Sequence, residues 1–410
     1  MTKHFWLWLA CLQAAAVQAA PWRFDEALTV AGQPADAQAP VFHHLDSSGR
    51  RNIAVTPQGV AIAWEDDRDG TPRIYLAFKP ETADGFVDEV RVSGEGEAFE
   101  PSLVAVGDDQ LAVAWEEADQ VWMRLVGIGK PRTLGPLYRL SLKRGAQVNL
   151  TAVGDELAAV WSEREQRFGR IYALRLMPEG LVLRAGDGCP VDAVPPVDEQ
   201  LYPSASLLQG RLVVAWEDRR PKHTIIMAAI EAQPASCRFS PPARISEKRT
   251  GRNLPYGAGH GVSRVAMHSV GERSVFAAWA DKRNFRNGYD IWGAFYHLGD
   301  AGFGKNEWVQ DDFGGLSKQR HASVAGNAHG LLAVAWDDER EGNADLMLSW
   351  HEAEGWSDDW PLPDASGPGW QGNPSIVFDD AGNLHAAWIE RDKLGGATRL
   401  KYAFGRYSPD

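Results

Sequence analysis

The chain of 410 residues carries 42 Lys and Arg against 55 Asp and Glu, a formal net charge of −13 at pH 7. It has no Lys/Arg-rich run, which argues against a nucleic-acid partner. Length alone would allow two domains, and 17 tryptophans are many for a chain of this size.

Residues 1–19 read as a secretory signal. Lys3 and His4 give a short positive start, Phe5 to Leu12 is apolar, and Val17-Gln18-Ala19 offers small residues for cleavage after Ala19. The apolar run is too short to anchor a membrane, and no later stretch approaches a spanning length. The mature chain, residues 20–410, is expected to be exported, periplasmic or secreted. Leu9-Ala10-Cys11 offers a lipoprotein signal as the alternative, against a short apolar region before it. Without Cys11 the chain keeps Cys189 and Cys237. In an oxidising compartment this pair is expected to form one disulfide, the alternative being two separate thiols.

From there the sequence is organised by a repeat. Seven times a short apolar strand runs into tryptophan, at Trp64, Trp115, Trp161, Trp216, Trp279, Trp336 and Trp388. Two residues later comes an acid: Asp66, Glu117, Glu163, Asp218, Asp281, Asp338 and Glu390. Spacings of 51, 46, 55, 63, 57 and 52 residues predict an all-β fold, a single seven-bladed β-propeller of four-stranded antiparallel blades. Blade two shows the pattern: strand A over Ser102–Val106, a Gly107-Asp108-Asp109 turn, strand B over Leu111–Trp115 and strand C over Val121–Val126. After Trp388 the last blade has one more strand, Arg399 to Phe404, and lacks its outer one. The N-terminal segment near residues 22–31 is expected to pair with it and close the ring, leaving no exposed edge.

An arginine follows most of the acids, at Arg68, Arg164, Arg219 or Arg220, Arg283, Arg340 and Arg391. An acid and an arginine bracketing a tight turn pair with each other or with turn amides. Seven-fold recurrence marks this motif as structural, since a binding or catalytic site needs asymmetry.

Ala54-Val55-Thr56-Pro57-Gln58-Gly59 leading into Val60–Arg68 resembles the first blade of sialidase (neuraminidase) superfamily propellers. The turns Thr82-Ala83-Asp84-Gly85-Phe86, Asp300-Ala301-Gly302-Phe303 and Glu354-Gly355-Trp356 are similar to eroded copies of that family's Asp-box. The resemblance implies three arginines clamping a carboxylate, a tyrosine–glutamate nucleophile and an aspartate acid/base. Where the family has Arg-Ile-Pro, this chain has Gly49-Arg50-Arg51 with no Ile-Pro following, and the family's propellers have six blades.

Function is expected where strand A begins, around the channel mouth. Counting back from each tryptophan gives the ring Arg51, Glu100, Gln147, Tyr202, Arg264, Arg320 with His321, and Asn373. Its three arginines suit a glycan, a carboxylate or another anionic ligand through bidentate hydrogen bonds; the bland reading pairs them with neighbouring acids. Glu100, Tyr202 and Glu247 are the residues a glycosidase would draw on. The long link before blade five contributes Tyr256 and His260 as a candidate binding loop. Trp370 stands outside any repeat position, as a sugar platform or as packing. His43-His44-Asp46 lacks a known metal-ligand spacing, Asp379-Asp380 with Gly382-Asn383 reads as a β-turn, and no cofactor motif occurs. The sequence thus reads as an exported binding module for a glycan, a small anion or another exported protein, with an altered sialidase-type hydrolase as the rival.

Overall fold

The computed structural model describes residues 20–34, 37–45, 49–130, 132–247, 261–283 and 288–409. Seven antiparallel sheets, each of four or five short strands, are arranged in chain order as blades. The inner strands of blades two to seven are Ala98–Val106, Gly145–Val153, Gln200–Leu208, Val262–Val270, Gln319–Gly326 and Trp370–Phe378. The inner strand of blade one is split into His43–His44 and Ile53–Thr56. Among the described residues the only helix is a single 3-10 turn, Asp312–Gly314, and no helix is long and apolar enough to cross a membrane.

The tryptophan repeat builds the interior. All seven tryptophans lie fully buried among Ala, Val and Leu of facing blades. Alternate residues of a strand share one face, so the acid two positions on reaches the indole. Nε1 donates to that acid from Trp64 (3.1 Å), Trp115 (2.8 Å), Trp161 (3.1 Å), Trp216 (3.1 Å), Trp279 (3.0 Å) and Trp336 (3.3 Å). A buried N–H without an acceptor is costly, which accounts for the spacing.

Acid length then decides the next partner. The four aspartates turn back on the arginine two residues later: Arg68, Arg220, Arg283 and Arg340 each donate a backbone N–H and the guanidinium to it. The longer Glu117 accepts instead from the amides of Gly94 and Gly96, and Glu163 from Leu142. Two of the arginines expected to join the motif are placed elsewhere. Arg164 pairs with Glu199 at 3.0 Å, and Arg391 lies over the Trp370 ring while Glu390 pairs with Arg399.

Small polar residues stitch the inner strands around the axis. Ser375 accepts from the Asn52 amide, and the Asn52 side chain donates to Pro101 O. Ser102 accepts from Leu150 N, Asn149 from Ala205 N, and Ser323 from Ile376 N. The ring closes as expected. Trp22–Phe24 pairs with Gly405–Tyr407, and Leu28–Ala31 with Leu400–Tyr402, completing blade seven. Trp22 is buried against Phe378, Trp350 and Tyr407. Cys189 and Cys237 form a disulfide that ties blade three to blade four. Residues 1–19, where a secretory signal is expected, lie outside the described residues.

Candidate functional site

Strand A starts, strand B ends and the links between blades share one face. On that face, each inner strand from blade two to blade seven carries a β-bulge opposite the repeat tryptophan. Strand A of blade two therefore starts at Ala98, not Ser102, because pairing resumes beyond the bulge. The first residue of every bulge has a positive φ: Glu100 (54°), Gln147 (61°), Tyr202 (49°), Arg264 (58°), His321 (55°) and Asn373 (56°). None is glycine, and each left-handed residue costs about 1–3 kcal/mol unless its surroundings hold it.

In three blades the glutamate directly after the tryptophan does the holding. Glu65 accepts from the Glu100 amide at 3.3 Å, Glu116 from Gln147 at 2.5 Å, and Glu217 from Arg264 at 2.8 Å. Ser162 is too short for this, and Gln147 Oε1 takes the Tyr202 amide at 2.9 Å in its place. Asp337 accepts from the His321 ring, 2.7 Å from Nδ1. These carboxylates were not singled out from sequence. The signal was there: the position after tryptophan reads Glu, Glu, Ser, Glu, Ala, Asp, Ile around the ring, whereas the next is always acidic.

Blade one breaks the pattern. His44 pairs with Glu65 and Ile53 with Ile62, and the Asn52 carbonyl accepts from Ala63. Gly49, Arg50 and Arg51, which precede Asn52, reach across the channel. Gly49 packs so tightly on blade five that a Cβ would lie 2.5 Å from Val265 O. Arg50, buried, donates through Nε to Val148 O of blade three (2.5 Å), and through Nη1 to Glu100 (2.6 Å), with Nη2 3.3 Å from Glu116. The third mouth arginine is therefore Arg50. Arg51 points into the other half of the channel, donating to Met267 O at 3.2 Å.

The electrostatics follow from this crowding. Burial opposes charge on Glu100, but the Arg50 guanidinium, aided by Arg264, outweighs it and holds the carboxyl below the usual range. Burial, against the pull of Arg50, and the Glu100 charge push Glu116 up to about 8. At neutral pH the two carboxyls, within hydrogen-bond reach of each other, keep one proton between them. Burial also raises Glu217.

The Arg264 guanidinium lies 3.3 Å from the centre of the Tyr202 ring, with Nη1 3.8 Å from Glu217. Arg320 lies 4.8 Å over Tyr289. Trp370 begins the inner strand of blade seven, with Arg391 4.4 Å over its ring and Gly372 leaving room beside it. Glu247 is not brought to the mouth, being paired with Asn306 in the link beyond blade four. Tyr256 and His260 lie outside the described residues. No group of three or more His, Cys, Asp or Glu is placed to hold a metal among the described residues; His43 packs on Asp66 and Thr398, and Asp379 caps its own turn at Asn383.

Fold and site together define a seven-bladed β-propeller with one asymmetric, charged mouth. No family model matches the chain, and no curated protein matches it. Among solved structures it is similar to a protein of unknown function from Dyadobacter fermentans, at 10% identity and TM-score 0.57, over 94% of this chain and 99% of that one. It is also similar to an alpha-L-arabinanase of Penicillium chrysogenum complexed with arabinobiose (13% identity, TM-score 0.48, 75% of this chain, 92% of that one). A Trypanosoma rangeli sialidase in complex with the inhibitor DANA gives 9% identity and TM-score 0.48, over 77% of this chain and 56% of that one. At these identities the likeness is one of fold.

Proposed function

We propose that the channel mouth binds an uncharged carbohydrate and that the protein works as an exported glycan-binding module. The observation that carries this is the balance of the mouth. Three arginines, Arg50, Arg264 and Arg320, face five carboxyl groups, Glu65, Glu100, Glu116, Glu217 and Asp337. Arg50 and Arg264 pair with acids and Arg320 with an aromatic ring. With one proton shared by Glu100 and Glu116, the remaining acids still offset the three arginines, so an anionic ligand meets no net positive field. Sugar hydroxyls, which both donate and accept, suit closely set carboxylates, amides and guanidinium groups, and Tyr202, Tyr289 and Trp370 offer ring faces for stacking. The disulfide supports an oxidising, exported setting.

Binding of neutral and of sialylated oligosaccharides, followed by calorimetry, tests the proposal. Neutral glycans are expected to bind wild type and to lose at least about tenfold in affinity with Tyr202→Ala. Binding confined to sialylated glycans, or no binding at all, would overturn it.

A second reading, glycoside hydrolysis, is favoured by Glu217, whose carboxyl burial raises above its ordinary range against the pull of Arg264, the direction a general acid requires. Glu100 and Glu116 do not serve as the opposed pair. Both are held on the one Arg50 guanidinium, at 2.6 and 3.3 Å, whereas glycosidase carboxyls face each other across the scissile bond, roughly 5–9.5 Å apart. Turnover of aryl glycosides by wild type, lost in Glu217→Gln, would replace the binding reading with this one.

A further inference from the structure

The stretch Gly49-Arg50-Arg51 lies across the channel between blades three and five, and its two arginines serve different halves. Beyond it lies a cavity of about 150 Å³ formed by the inner strands, with Val55, Ala105 and Val153 towards the far face. Its walls are largely apolar, Ile53, Leu103, Val104 and Val377 among them, while Thr151, Ser206 and His268 add a few polar atoms. Apolar cavities of this size accept a benzene-sized molecule.

Arg51 also lines this cavity, and its hydrogen bond goes to a neutral carbonyl, Met267 O. No described carboxylate lies within 4.0 Å of its guanidinium, unlike Arg50 one residue earlier. Burial lowers Arg51 only to about 10, so it stays charged at neutral pH. Burial, and then the Arg51 charge, push His268 down to about 3, so the imidazole gives no counter-charge and takes none. A partly buried guanidinium whose described partner is only a neutral carbonyl keeps charge and donors to offer an anion. Sequence distinguishes this position too, since its counterparts in the other blades are Pro101, Val148, Pro203, Val265, Ala322 and Pro374.

We propose that this far half of the channel binds a short-chain aliphatic monocarboxylate, with the carboxylate on Arg51 and the chain along the apolar walls. Charge and shape both enter. Arg51 supplies bidentate donors to a planar anion, and the wall residues bury a few methylene groups. The site is separate from the mouth and does not depend on the glycan reading.

Calorimetry of the mature chain with hexanoate, hexanol and sodium bromide tests it, on wild type, Arg51→Met and Val153→Trp. Val153 sits exposed at the cavity rim, so a tryptophan there obstructs entry without disturbing Arg51 or the core. Hexanoate is expected to bind one molecule per chain, with hexanol and bromide each at least about tenfold weaker, and both variants are expected to weaken hexanoate by about tenfold or more. No hexanoate binding, bromide binding as tight as hexanoate, or unchanged affinity in Arg51→Met would overturn the proposal. Should Arg51→Met fail to fold, unchanged affinity in Val153→Trp would do the same.

Discussion

At the scale of the residue, the repeat is an answer to one problem, a buried indole N–H. Six of the tryptophans solve it with the acid two positions on, but Trp388 Nε1 has no hydrogen-bond partner among the described residues, Glu390 being taken by Arg399. Substituting phenylalanine removes the same volume at either site, so the difference between sites isolates the hydrogen bond. Trp216→Phe is expected to cost about 1.5–3 kcal/mol more than Trp388→Phe, by urea denaturation; equal costs would show that the bond contributes nothing net. Charge at the mouth gives a second prediction. Glu116 titrates at about 8 when folded against an ordinary 4.5, so across that interval the folded chain holds a proton that the unfolded chain has released. Its contribution to stability is therefore full below 4.5 and is lost as pH climbs to about 8. Glu116→Gln keeps an acceptor for the Gln147 amide and cannot titrate. The fall in melting temperature between about pH 5 and about pH 8 should be shallower in this variant than in wild type. An identical slope would mean that Glu116 is ionised throughout.

At the scale of the element, strands and turns were legible because alternating apolar residues and Gly/Asp clusters mark them without tertiary help. The closing strand was legible too, since the last blade visibly lacked one. What sequence did not disclose was the two-for-one bulge on the inner strands of blades two to seven and the way Gly49-Arg50-Arg51 lies across the channel in blade one. A bulge is a matter of register, and counting back from tryptophan cannot see an extra residue. That is why the count selected Arg51 for the mouth when the chain brings Arg50 there, and why it passed over Glu116 and Glu217, which show their role only once the neighbouring blade's bulge is in place. The closing element makes a prediction of its own. Trp22 fills the space between Trp350, Phe378 and Tyr407, and its Nε1 donates to Gly382 O at 2.9 Å. Trp22→Ala is expected to destabilise by about 3–5 kcal/mol. A loss below about 1 kcal/mol, the scale of an ordinary surface change, would show that blade seven is complete without this strand.

At the scale of the molecule, seven blades of similar strand pattern make a ring whose last joint is non-covalent. The N-terminal strand lies against the last, Ser408 N donates to Pro21 O at 2.8 Å, and the two ends of the described fold are neighbours. In such a ring the position of the chain break is thermodynamically arbitrary, provided that every strand is still delivered to its blade at high effective concentration. A circular permutant tests this directly. Residue 20 is joined to residue 409 by a short Gly/Ser linker, and new termini are opened at Gly342, an exposed turn residue with φ 96° and open space around it. The cut separates strands Leu332–Asp338 and Asp345–Glu352, which remain paired through the register Asp338↔Asp345 to Ala333↔Trp350. The permutant is expected to melt in one cooperative transition a few degrees below the parent chain, since the joint gained at residues 20 and 409 offsets the joint lost in blade six. Two separate transitions, or a blade six that opens well before the rest, would mean that the blades are not interchangeable and that closure at the N-terminal strand is special to blade seven.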